Sequence, residues 1–212
     1  MGRDPDPFAG SSGVGAHAAR LCHGRSGLFA EDVLKPIVSP NTRIRHPEYF
    51  EIGEYSIVDD FSYFSTRVRI GRCSHIASGC SIAGGSDRQF ILGDFCSLSS
   101  GVKIWCTSDD FVNDLVTIVP DGAGPIKVHL ITGDVTFDNC TAVGANAVVM
   151  PGNHIPEGTV IGALSFVPAG FSFEPWAVYA GIPIRRIGDR NREVGAQADA
   201  LRKRLDAMAR NA

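Results

Sequence analysis

Histidine binds and releases a proton closest to neutrality, so histidines and the acids near them mark where this chain could move protons. Six are present, at positions 17, 23, 46, 75, 129 and 154. His75 follows Gly71-Arg72-Cys73-Ser74, and His154 lies in Pro151-Gly152-Asn153-His154-Ile155-Pro156. Asp109 and Asp110 follow Ser108. Adjacent side chains on extended backbone face opposite ways, so at most one of these acids reaches a given substrate group, to receive an ammonium or orient a histidine. Apart from His17 and His23, no two histidines lie within six residues of each other, which argues against a histidine-rich zinc centre. The cysteines, at 22, 73, 80, 96, 106 and 140, show no Cys-x-x-Cys or similar ligand spacing. They are expected to be free thiols serving as small apolar residues, with no metal bound.

The elements that must position these groups come from an ordinary soluble composition. The 212 residues allow one domain with short appendages, 44% of them apolar and 20% charged. Twenty basic against 23 acidic side chains leave a net charge of −3, which excludes a basic nucleic-acid reader. No run of 18 apolar residues is present, so no membrane span is expected. The start, MGRDPDPFAGSSGVG, has acids and prolines where a secretory signal needs a basic and then an apolar run, so a cytoplasmic location is expected.

A six-residue period dominates the chain. It reads Ile52, Val58, Phe64, Ile70, Ile76 and Ile82, then Leu92, Leu98 and Ile104, then Ile131, Phe137, Val143, Val149, Ile155, Ile161 and Val167. Every position is Leu, Ile, Val or Phe, types that fill only 57 of 212 positions, so the period is not chance. Four residues after each anchor the side chain is mostly small, as at Ser56, Ser62, Ser74, Cys80, Ser86, Cys96, Thr141 and Ser165. Gly or Asp often follows the anchor and suits a sharp bend. Three hexads make one triangular coil, and stacked coils make a parallel β-solenoid. Both His75 and His154 take the last hexad position, facing the prism surface.

The period breaks twice. Residues 83–90 accommodate an extra bulge between Ile82 and Leu92, and Asp109 to Leu130 must leave the prism as a long loop, a feature more often functional than ornamental. Apolar residues at 194, 198, 201, 205 and 208 predict a helix over 189–209, capping the open prism end or packing on a neighbour. The expected organisation is a loose segment 1–27, a cap and irregular first coil 28–51, the β-helix 52–188 with loop 109–130, and a C-terminal helix 189–212.

The hexad pattern, together with SHIASGCSIAGG (74–85), ILGDFCSLSSGVKIWCTSDDF (91–111), VGANAVVMPGNHIPEGTVIGALSFV (143–167) and EPWAVYAGIPIRRI (174–187), resembles the hexapeptide-repeat acyltransferase superfamily. The branch it resembles acylates nucleotide-linked 4-amino-4,6-dideoxyglucose for surface polysaccharides. The resemblance implies a left-handed parallel β-helix, acetyl-CoA as cosubstrate, and a homotrimer with sites between subunits. It implies that His75 lies beside the thioester as base or positioning donor, with Asp109 or Asp110 reaching it across a subunit boundary. Gly144, Ala145, Gly162 and Ala163 would let pantetheine lie close along the coils, and Arg185 and Arg186 would meet the 3′-phosphate of coenzyme A. Many O-acetyltransferases of the superfamily carry a His–Pro pair where this chain has Ser108-Asp109-Asp110. A hydroxyl needs a strong base more than an amine does, so the missing histidine shifts the expectation toward an amino-sugar acceptor. The alternatives are O-acetylation of a sugar hydroxyl and a non-catalytic scaffold. His129, His17, His23 and His46 are assigned no role.

Overall fold

A two- or three-residue strand per hexad cannot stand alone, so the fold depends on each strand finding its counterpart one coil away. The computed structural model describes residues 35–115, 118–122, 124 and 129–210. The expected loose segment 1–27 and residues 28–34 of the expected cap lie outside the described residues. From residue 34 onward the chain forms one compact unit.

Ile57 pairs in parallel with His75 and Val58 with Ile76, one eighteen-residue coil apart. The parallel pairing continues through Ser97–Leu98, Ala142–Val143, Val160–Ile161 and Ala177–Ala180 to build the first prism face, the steps lengthened where the bulge and the excursion intervene. Tyr63–Ile70 and Ser81–Leu92 are long strands that run through two faces before meeting Lys103–Trp105 and Val135–Phe137. Arg185–Asp189 turns back antiparallel on Ala177–Ala180 and closes the first sheet.

The anchors fill the prism. Val58, Phe64, Ile76, Ile82, Leu98, Ile104, Ile155, Ile161 and Val167 are fully buried. Two anchors depart from expectation: Ile52 is half-buried in the first coils, and Ile131 is 40% exposed because it belongs to the excursion rather than to a coil. The small inward serines are buried and donate to coil carbonyls, Ser56 Oγ to Gly71 O at 2.7 Å and Ser74 Oγ to Gly93 O at 2.7 Å. Their size admits the coil and their hydroxyls satisfy it. The described cysteines are free. Burial pushes the Cys96 thiol up to about 11 and Cys106 to about 12, as inert packing residues require.

Along one corner Tyr55, Cys73, Phe95, Cys140 and Trp176 all take left-handed backbone, with φ between 53° and 61°. Helix α1, Glu193–Arg210, begins where the Asn191 side-chain oxygen accepts the Glu193 N–H and packs along this corner. Arg202 lies 5.2 Å over the Phe95 ring, and Arg72 donates to Asp206 at 2.9 Å. A Cβ on Gly158 or Gly195 would meet the Trp176 ring at 2.3 or 2.8 Å, so the indole is wedged between coil and helix start. The helix therefore lies along a side of its own prism instead of capping its end. Arg72, Phe95 and Trp176 supply the docking groups that apolar spacing alone does not register.

Both breaks in the period occur at one corner. Thr66 pairs with Gly85 but Arg67 with Gln89, so Ser86, Asp87 and Arg88 bulge out and Ser86 is exposed rather than inward. Thr107–Asp109 pairs antiparallel with Leu130–Thr132 and forms the neck of the excursion. Thr107 Oγ1 donates to Gly84 O at 3.0 Å and ties the neck to the bulge.

Candidate active site

His75 sits between Ile57 and Ser97 on the first face, held by strands on both sides. Because side chains alternate, its ring projects outward while Ile76 fills the core. Asp59, one residue past anchor Val58 on the preceding coil, places Oδ2 2.9 Å from His75 Nε2. The pair is half-exposed. A neutral imidazole has one N–H, and Asp59 can only accept it, so Nδ1 is left with a free lone pair. His154 repeats the arrangement on another face, its Nε2 2.9 Å from Asp138 Oδ2. Both acids precede their histidine by sixteen residues, two short of a coil. That offset is the signal by which sequence could have found Asp59, which the reading of the sequence missed.

At the neck the two aspartates separate as expected. The Asp110 carboxylate accepts from Val112 N, Asn113 N and Asn113 Nδ2 and is committed to a turn, which holds it below the usual carboxylate range. Asp109, opposite Leu130, has a half-buried carboxylate with no hydrogen-bond or ion-pair partner among the described residues. Within one chain nothing joins either aspartate to His75, which belongs to a different face. Inside the excursion, Asp114 accepts from His129, a residue assigned no role from sequence.

The small residues have a packing reason. A Cβ on Gly144 would lie 2.3 Å from Ala163 N, and one on Gly162 would lie 2.9 Å from the Ala180 Cβ. Successive coils thus approach too closely there for larger side chains, leaving a shallow outer surface that includes Ala145 and Ala163. The two arginines differ. Arg186 is engaged by Glu174 at 3.4 Å and by Asp189, whereas Arg185 has no ion-pair partner among the described residues. Arg185 also borders an open cavity of about 460 Å³ with Gly181, Ile182, Pro183 and Ile187. Among the described residues no group of three or more His, Cys, Asp or Glu is placed to hold a metal, and no helix is long and apolar enough to cross a membrane.

Comparison with known proteins places this geometry. The chain is 28% identical to the dTDP-4-amino-4,6-dideoxy-D-glucose acyltransferase of Escherichia coli, over 68% of this chain and 73% of that protein. It superposes with a TM-score of 0.72 and 28% identity on a point mutant of AntD, an N-acyltransferase from Bacillus cereus in complex with dTDP-4-amino-4,6-dideoxyglucose and coenzyme A. That match covers 82% of this chain and 92% of AntD. Both likenesses are to acyltransferases. The sequence matches no profile of a known protein family. A chloramphenicol acetyltransferase of Agrobacterium fabrum is 30% identical over 50% of this chain, which spans only 54% of that relative's length. A hexapeptide-repeat-containing acetyltransferase from Vibrio cholerae, 15% identical with a TM-score of 0.51, shares the fold alone. The chain departs from regular coils at the bulge of residues 86–88 and at the excursion from Asp109.

Proposed function

We propose that this protein transfers an acyl group, acetyl in the simplest case, from coenzyme A to the amino group of a nucleotide-linked amino sugar. The observation that carries this is the superposition on AntD, bound to such a sugar and coenzyme A, over 82% of this chain and 92% of that one. The absence of histidine at Ser108-Asp109-Asp110 supports the amine as acceptor. Surface-polysaccharide synthesis in the cytoplasm is the setting this chemistry fits.

The cosubstrate would lie along the coils with pantetheine over Gly144-Ala145 and Gly162-Ala163, its amides meeting backbone groups as an added strand would. Arg185, its charge unspent, would take the 3′-phosphate, and Arg186, already neutralised by two acids, would contribute less. The amine nitrogen attacks the thioester carbonyl, and a C–N bond forms. His75 Nδ1 takes a proton from that nitrogen; as the tetrahedral intermediate collapses the C–S bond breaks, and the imidazolium returns that proton to the departing sulfur. Asp59 holds the ring in the tautomer this requires. Asp109, uncommitted, is suited to receive the substrate ammonium, while Asp110 is spent on its turn.

Since one chain leaves Asp109 and His75 on separate faces, the site is completed in a homotrimer by a neighbouring subunit. The excursion supports that assembly: Phe111, Val112, Leu115 and Ile118 are 62 to 90% exposed, an unusual concentration of apolar surface. The match to a chloramphenicol acetyltransferase favours a second reading, acetylation of a non-amine acceptor. Mass spectrometry of products from acetyl-CoA with a panel of nucleotide amino sugars and their hydroxyl counterparts tests both. N-acylated product supports the first reading; product from hydroxyl acceptors alone refutes it.

A further inference from the structure

Acylation of an amine has two protons to dispose of. Near neutral pH the amino sugar arrives as an ammonium, which must lose one proton to become a nucleophile and a second as the intermediate collapses. His75 accounts for the second. The excursion holds a histidine with the geometry to take the first. Asp114, its side chain only 7% exposed, places both carboxylate oxygens 3.0 Å from His129 Nδ1 and also accepts the His129 backbone N–H. The imidazole itself is 66% exposed. Fixed from behind at Nδ1, it leaves Nε2 with its lone pair open to the outside. Asp110 N donates to His129 O at 3.2 Å, so the ring is carried beside the neck that bears Asp109.

We propose that His129, positioned by Asp114, is the second proton acceptor of this enzyme, taking the first proton from the substrate ammonium and releasing it to water. The inference rests on the N-acyl reading above. One N–H bond of the ammonium breaks and an Nε2–H bond forms, leaving the amine neutral and the imidazole cationic. The exposed imidazolium then returns its proton to solvent. After attack and loss of the second proton to His75, amide and free thiol are the products and both histidines are neutral again. Among the described residues, the charged groups acting on the His129 ring are Asp114 and Asp110. The hydrogen bond from Asp114, and then the charges of both acids, hold His129 above the usual histidine range. The acceptor form therefore exists above that raised value and is lost as pH falls through it.

The test is kcat/KM against pH for the full chain, comparing wild type with His129→Ala, His129→Gln and Asp114→Asn, together with NMR titration of the His129 ring. His129→Ala should lower kcat/KM by about 10²-fold near neutrality, the lower end of what a positioned proton acceptor contributes. The loss should fade at alkaline pH, where the amine is already neutral, and added imidazole should restore part of the activity. His129→Gln, which keeps much of the ring's volume, should behave alike, separating lost chemistry from a disturbed loop. Asp114→Asn should move the acidic limb and the NMR titration together to lower pH. An N-acyltransferase whose activity survives His129→Ala, or whose loss is flat with pH and not rescued by imidazole, overturns the proposal alone. An unmoved titration in Asp114→Asn overturns the positioning role. A wild type that acylates only hydroxyls overturns the parent reading, and the proposal with it.

Discussion

Replacing His75 by alanine, with His154→Ala as an internal control, separates chemistry from coil structure. Each histidine makes the same 2.9 Å contact to an aspartate on a neighbouring coil, and each pair is substantially exposed. Exposed pairs of this kind contribute roughly 0.2–1 kcal/mol to stability, so both variants should lose a similar, small amount in thermal unfolding. Activity should split them. Removing a positioned proton acceptor costs about 10²–10⁴-fold, equivalent to roughly 3–5 kcal/mol of barrier. That loss is expected in kcat for His75→Ala, and less than about twofold for His154→Ala. Because Asp59 takes the N–H at Nε2, a neutral His75 offers Nδ1 only as an acceptor. Proton acceptance is thereby favoured over donation to the thioester carbonyl, and the loss should shrink as pH rises and hydroxide takes up the intermediate's proton in its place. Asp59→Asn should reproduce a weaker version of the defect with the fold intact. The assay is steady-state release of free thiol with a nucleotide amino sugar, between pH 6 and 9 or so, where the two roles diverge. Equal losses in His75→Ala and His154→Ala would show that the pair is a coil fastening, and a pH-independent loss in His75→Ala would assign it to thioester binding. If Asp109→Asn alone abolishes turnover while His75→Ala does not, the acid at the neck performs the chemistry.

Arg185→Ala should raise KM for acetyl-CoA with kcat nearly unchanged, since a phosphate contact is shared by ground and transition states, and Arg186→Ala should do so more weakly; a fall in kcat at constant KM would place Arg185 elsewhere. Light scattering at micromolar concentration should give a trimer, and a monomer retaining full activity would refute the shared site. Alkylation of the native protein near pH 8 should leave Cys96 and Cys106 unmodified on a timescale that labels them after unfolding, because thiols pushed to about 11 and about 12 carry almost no thiolate; rapid labelling of either would mean that the prism opens.

The fold was legible because one physical requirement, an apolar side chain turned inward every sixth residue, is written into the sequence wherever coils stack regularly. Phe64, Ile82, Leu98 and Val149 could be placed in the core from spacing alone, and all are fully buried. Spacing failed where a residue leaves the coil. Ile131 fits the period yet lies on the neck, and Ser86 fits the small position yet lies in the bulge. An antiparallel neck and a parallel coil both present alternating side chains, so hydrophobic period does not tell them apart. The site was less legible. Asp59 follows from coil arithmetic once the coil length is known. Asp114 and His129, fifteen residues apart in a segment without period, are brought together only by the path of the loop. Trp176 and Arg72 likewise take their roles from a helix whose docking side the sequence does not specify.

The duplicated His–Asp pair shows why the repeat by itself does not make a site. Any coil that places an acid after one anchor and a histidine before the anchor a coil later brings the two together, whichever face they share. What distinguishes His75 is its surroundings. Its strand has neighbours on both sides, Ile57 and Ser97, so the ring projects from the middle of a continuous face. His154 pairs with Thr136 on an outermost strand of its sheet, with no further strand beyond it. The same dyad is thus set within a face in one case and at an edge in the other. On the reading proposed above, an extended thioester would cross the imidazole with coils on both sides in the first case alone. Catalysis by His75, and its absence at His154, would follow from that difference in setting rather than from any difference between the two pairs.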